Sequence, residues 1–94
     1  MSVVMMIDNP NGSQEIYEKV ASSVTLPIGG RVHLAGPRPG GGWRVIEVFD
    51  TEDQGRLFFR EKLGPALRAA GAPGPAPDPE FWPLHNVATT GVPA

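Results

Sequence analysis

The sequence predicts an α+β fold, a four-stranded antiparallel sheet with both helices on one face, in a single domain of 94 residues. Three observations predict it. Apolar residues recur along the chain in the order strand, helix, strand, strand, helix, strand. Arg31 to Phe49, RVHLAGPRPGGGWRVIEVF, reads as two strands around a turn, because Gly36, Pro37, Pro39 and Gly40 to Gly42 admit neither helix nor strand between them. Two helix starts carry their own caps, Ser13 ahead of Gln14 and the T-x-x-Q pair Thr51 and Gln54.

Each element follows from its residues. Val3 to Ile7 is a continuous apolar run of strand length, closed by the turn formers Asp8 to Gly12, and its two apolar sides predict a central strand covered on both faces. Ile16, Tyr17, Val20 and Val24 are spaced for a helix of roughly ten residues from Gln14, ending before Pro27 to Gly30. In the hairpin, Val32, Leu34, Ile46 and Val48 share one face, whereas Arg31, His33, Ala35, Trp43, Val45, Glu47 and Phe49 share the other. Phe58 or Phe59, Leu63, Ala66, Leu67 and Ala70 form the inward stripe of the next helix. Gly64-Pro65 predicts a break, since proline lacks the ladder donor, with a short further helix opening at Pro65. Residues 71–80 form a Pro/Gly-rich extended connector, Phe81 to Val87 reads as a last strand placed at an edge by Pro83, and 89–94 as a loose terminus.

This order is the split βαβ pattern of the ferredoxin-like fold, βαββαβ. Right-handed crossovers place both helices on one face, expected to be the aliphatic face of the hairpin. The mixed face would then lie bare, with Trp43, Val45 and Phe49 forming a patch that a second copy covers, so a homodimer enclosing a cavity is expected.

Composition bounds the function. Eight Lys plus Arg against ten Asp plus Glu, scattered along the chain, do not make a nucleic-acid footprint. There are no cysteines, which excludes disulfides and thiolate metal sites. The run Val3 to Ile7 is too short for a signal-peptide core and nothing reaches membrane-spanning length, so a cytoplasmic protein without membrane association is expected. The triple glycine is no phosphate loop, because it leads into a strand and no Lys-Ser/Thr follows.

The candidate site centres on His33, whose imidazole exchanges protons near neutral pH, with Glu47 opposite it across the hairpin as the group that orients it. The plainer reading of this pair is a cross-strand contact stabilising the hairpin by roughly 0.2–1 kcal/mol. His85, from another strand, is a further candidate acid or base that would converge on the same cavity; otherwise it is an edge histidine bonded to solvent. The two histidines and Glu47 have no compact ligand spacing, so no metal is expected. Trp43, Phe49 and Trp82 would wall a hydrophobic cavity, Tyr17 would offer its hydroxyl at the helix-sheet seam, and Arg31 would meet a substrate carboxylate. Core packing and surface ion pairing are the plain alternatives for these.

From Val3 to about Val87, in the hairpin HLAGPRPGGGWRVIEVF, the helix FFREKLGPAL and the closing PLHNV, the chain resembles small bacterial proteins of the dimeric α/β-barrel superfamily, including antibiotic-biosynthesis-monooxygenase-like proteins. The resemblance implies a homodimer with a reactive cavity near the hairpin. It also implies a range of activities: cofactor-independent monooxygenases, polyketide cyclases, haem-degrading enzymes, dehalogenating isomerases and proteins without known activity. The expected function is cofactor-independent acid/base chemistry of monooxygenase, cyclase or isomerase type on a hydrophobic aromatic or polyketide-like molecule. The alternative is a non-catalytic dimeric binding or accessory protein.

Overall fold

Strand β1, Val3–Asn9, lies between β3, Trp43–Phe49, and β4, Glu80–Pro83, in a computed structural model that describes residues 1–27, 29–88 and 90–91. Strand β2, Gly30–Pro37, pairs on the far side of β3, giving the order β2-β3-β1-β4 with every neighbouring pair antiparallel. Part of the expected terminus, Thr89 and residues 92–94, lies outside the described residues.

The helices form where their caps place them. Helix α1, Gln14–Ala21, starts as the Ser13 hydroxyl accepts from the Ile16 amide. Helix α2, Glu52–Phe58, starts on a complete capping box between Thr51 and Gln54. The short further helix expected at Pro65 forms, with Pro65 in its first turn, but the α-helix before it gives way earlier, after Phe58, and the chain does not turn aside at Gly64-Pro65. The chain runs on through a π-helical turn, Phe59–Leu63, into α3, Gly64–Ala69, without leaving helical dihedrals. Pro65 has no amide hydrogen and its ring crowds the carbonyl four residues back, and the wider turn, in which the Gly64 amide donates to the Phe59 carbonyl, lies directly before it.

Val3, Met5 and Ile7 of β1 form the core with Phe49 and Phe58, and Val24, Val45, Phe59, Leu63 and Phe81 pack around them. Phe49 and Met5 are fully buried, each contributing about 1.5–3 kcal/mol relative to exposure. Gly55 lets α2 approach the sheet, because a Cβ there would lie 2.8 Å from the Phe81 ring and 3.2 Å from that of Phe49. Gly42, with φ at +92°, turns the hairpin so tightly against β1 that a side chain would strike the Asn9 carbonyl.

The two faces of the hairpin are used in the reverse of the expected sense. The helices cover the mixed face, the one with Phe49, Val45, Glu47 and His33, and leave the aliphatic face open in part, its Val4 and Val48 buried and its Leu34 exposed. The register explains it: Val3 pairs with Phe49, Met5 with Glu47 and Ile7 with Val45, so the odd residues of β1 reinforce the aromatic side of β3. Phe49 and Met5, at the centre of that side, are the fully buried side chains, whereas Leu34 and Trp82 on the other stay exposed. β1 is central as expected, but helices cover only one of its faces. On the open face Leu34 is 58% exposed and Trp82 41%.

The last strand is shorter than the apolar run that predicts it. It lies at an edge, as Pro83 requires, and one further bond joins the Leu84 amide to the Ser2 carbonyl.

Candidate functional site

Helix α1 crosses the mixed face of β2 and β3 and leaves beneath it a cavity of about 300 Å³, at the lower end of small-molecule sites. Ile7, Ile16, Val20, Val45 and Leu67 make its walls mostly apolar; Tyr17, His33, Trp43 and Glu47 supply polar groups, and Asn9, Ser13 and Thr25 also line it. It lies within one chain. The mixed face cannot enclose a cavity with a second copy as expected, because the helices already occupy it.

His33 and Glu47 are register partners across the hairpin, as the alternation predicts. Their side chains meet with His33 Nδ1 2.8 Å from Glu47 Oε1, and the Tyr17 hydroxyl lies 2.5 Å from His33 Nε2. The result is a continuous hydrogen-bonded chain from α1 through β2 to β3. Glu47 is 3% exposed, while the imidazole is partly open to solvent. Burial pushes the Glu47 carboxyl above its ordinary 4.5, and the bond and charge of His33 partly oppose that rise. An ionised carboxylate can only accept, so Nδ1–H then donates to Glu47, Nε2 carries the lone pair, and the tyrosine hydroxyl donates to Nε2. The Tyr17 ring also lies 5.5 Å from Trp43 and 5.8 Å from the His33 ring, centre to centre, making an aromatic wall around the polar chain.

Compared with known families, curated proteins and solved structures, the chain matches none. The site therefore stands on its geometry.

The structure brings together four of the sequence-predicted site residues, Tyr17, His33, Trp43 and Glu47, and disperses the other four. Phe49 shares their face but is fully buried against Phe58, with ring centres 5.7 Å apart, and does not line the cavity. Trp82 pairs with Val4 and projects from the open face. His85 lies exposed beyond the end of β4, near Arg31, Val32 and Val48, and does not converge on His33. Arg31 falls in a bulge between Gly30 and Val32 and makes an ion pair with Asp50 instead of facing a ligand. No Lys or Arg is among the described residues that line the cavity, which leaves a phosphate or carboxylate without an anchor there. Among the described residues no cluster of three His, Cys, Asp or Glu side chains could hold a metal.

Two features of the site escape sequence reasoning. The aliphatic wall from α1 and α3 carries ordinary core residues, and only the crossing of the helices turns them toward a space. The bond between Tyr17 and His33 joins residues of separate elements; the helical stripe marks Tyr17 as inward but names no partner.

Proposed function

We propose that this protein is a small cofactor-independent enzyme that acts by acid/base chemistry on a hydrophobic small molecule, with Tyr17, His33 and Glu47 as the working groups. The observation that carries it is the unbroken chain from a buried carboxylate through an imidazole to a phenol at the wall of an apolar cavity. A carbon acid bound there gives its proton to the Tyr17 oxygen as the Tyr17 proton passes to His33 Nε2. The chain then holds an imidazolium against the Glu47 carboxylate, and the substrate is left as an enolate in the cavity. Return of the proton to another atom is isomerisation, attack of the enolate on a second carbonyl is cyclisation, and its reaction with dioxygen opens monooxygenation. Glu47 is a positioning residue in this scheme, fixing the tautomer and stabilising the imidazolium.

The strand order and antiparallel pairing support a ferredoxin-like assignment, and with it a place among the dimeric α/β-barrel proteins working in the cytoplasm. We assign the dimer contact to the open face, where Leu34, Ile46 and Trp82 leave apolar area uncovered on a domain of only 94 residues. Light scattering at micromolar concentration is expected to give twice the chain mass for the native protein and the chain mass for Leu34→Asp.

The enzymatic reading is tested by proton exchange. Acetophenone in deuterated buffer is expected to exchange its methyl protons faster in the presence of the protein, followed by NMR, and Tyr17→Phe or His33→Ala is expected to remove the acceleration. Unchanged exchange in both variants would overturn the assignment. The second reading, a binding or accessory protein, is favoured by one observation: Tyr17 Oη and His33 Nε2 bond to each other, leaving neither turned toward a ligand. A ligand-dependent rise in Tm with no exchange would select it.

A further inference from the structure

Helix α1 is tied to the sheet by very little. It has eight residues, too few to be stable in water alone, so packing must keep it folded. Yet Val20 is its one buried residue, and the core of Val3, Met5, Ile7, Phe49 and Phe58 includes no residue of α1. The cavity is the reason: it lies between α1 and the sheet, where a closely packed helix would bury its inward stripe, and Ile16, Tyr17, Val20 and Ala21 form its roof. Among the described residues one side-chain hydrogen bond leaves α1 for another element, that between the Tyr17 hydroxyl and His33 Nε2. The pairs Gln14–Glu18 and Lys19–Glu15 stay within the helix. Helix α2, by contrast, sends Phe58 into the core.

The chain is held on either side of this loosely tied segment. Gly12 closes a turn onto the Asn9 carbonyl, so near β3 that a Cβ there would lie 2.9 Å from that of Trp43. Beyond the helix, the Gly29 carbonyl accepts from the Asp50 amide at 2.9 Å.

We propose that α1 is a gate over the cavity, lifting as a unit between these two anchors while the sheet and α2 stay folded, with the Tyr17–His33 bond as its latch. This gate rests on the reading of the cavity as a ligand space and adds how that space is entered. With the latch closed, phenol and imidazole satisfy each other. Lifting α1 frees both, so the motion that admits a molecule also uncovers the two groups that meet it.

Native-state amide hydrogen exchange, followed by NMR over a series of low urea concentrations, tests the gate. The amides of Glu18 to Ser22 are expected to share one opening free energy, well below that of Val4 to Met6 in β1, with little urea dependence because lifting α1 exposes little surface. Tyr17→Phe is expected to speed exchange of the α1 amides roughly fivefold or more, as the loss of a hydrogen bond implies. Val48→Ala, on the face away from the helices, is expected to speed exchange in β1 and leave α1 unchanged, because the surroundings of Val48 persist when α1 lifts. The comparison of α1 with β1 in the native protein stands where a variant fails to fold. None of these readouts uses a ligand or turnover, so acetophenone exchange can fail while the gate holds, and the gate can fail while that exchange is accelerated. One opening free energy and urea dependence shared by α1 and β1, a gradient of protection fraying from the helix ends, or α1 exchange indifferent to Tyr17→Phe would overturn the proposal.

Discussion

Asp8 and Glu47 sit in the same sheet, one on each of its faces, and their surroundings move them in opposite directions. Asp8, on the open face, takes both Nε and NH2 of Arg44 at 2.6 and 2.9 Å, with Arg38 Nε at 3.6 Å. The bond to Arg44, only partly offset by desolvation, holds its carboxyl below the ordinary 3.8. Glu47, under the helices, has one neutralisable partner and one oxygen with none, and burial drives it up. One carboxylate is arranged to stay ionised with full pairing, and the other is kept in an environment that resists its charge. A buried carboxylate with one oxygen unpaired is what singles Glu47 out as a candidate, whereas a bidentate Arg–Asp pair is sufficiently explained by the strand register that places Asp8 opposite Arg44.

The difference between the faces is sharpened or broken by four measurements. The largest effect belongs to Phe49→Ala, which opens a cavity at the centre of the covered face and is expected to cost about 3–5 kcal/mol in urea unfolding, enough to unfold much of so small a domain. His33→Ala is expected to cost about 1–3 kcal/mol near neutral pH, because it leaves Glu47 buried without its hydrogen-bond partner. Stability that did not change would show Glu47 to be hydrated and not desolvated. Gly55→Ala gains helix propensity but presses a methyl onto Phe81 and Phe49, and a net loss of about 1–2 kcal/mol is expected. The smallest belongs to the open face: Leu34→Ala is expected to cost under about 1 kcal/mol in the dissociated chain, since the side chain is already largely in water.

The pH dependence separates the faces by sign. A raised carboxyl binds its proton more tightly in the folded than in the unfolded state, so the Glu47 contribution is full below 4.5 and declines as pH rises through the raised folded value. A lowered carboxyl behaves oppositely, and the Asp8 contribution is full above 3.8 and lost as pH falls through the lowered folded value. Urea unfolding over a series of pH values is expected to show Glu47→Gln removing the decline on the upper side and Asp8→Asn the loss on the acid side. The same slope in both variants as in the native protein would sink the contrast.

Much of this was legible along the chain because it is local. Ser13, Thr51 and Gln54 mark helix starts through bonds that span three residues, and the glycines and prolines of the hairpin fix a turn whose odd-to-odd register brings His33 opposite Glu47. Pro65 opens a short helix as its local rule predicts, but the π-helical turn that lies directly before it is not announced by the sequence. The identity of the buried face was not legible in the hairpin itself, since each of its faces carries apolar residues. It depends on β1, whose odd residues join Phe49 and Val45 only after the strands have paired.

The sequence by itself therefore determined the elements, their order, the edge position of the last strand and the pairing of a histidine with a glutamate, all consequences of backbone chemistry and side-chain alternation. Tertiary structure alone decided which side of the sheet the helices would cover, and with it that Glu47 is desolvated, that Tyr17 reaches His33, and that Phe49, Trp82, His85 and Arg31 stand apart from them. The physical reason is that burial is a property of the whole assembled surface: an alternating strand names two faces, and only the summed apolar area of all its neighbours chooses between them.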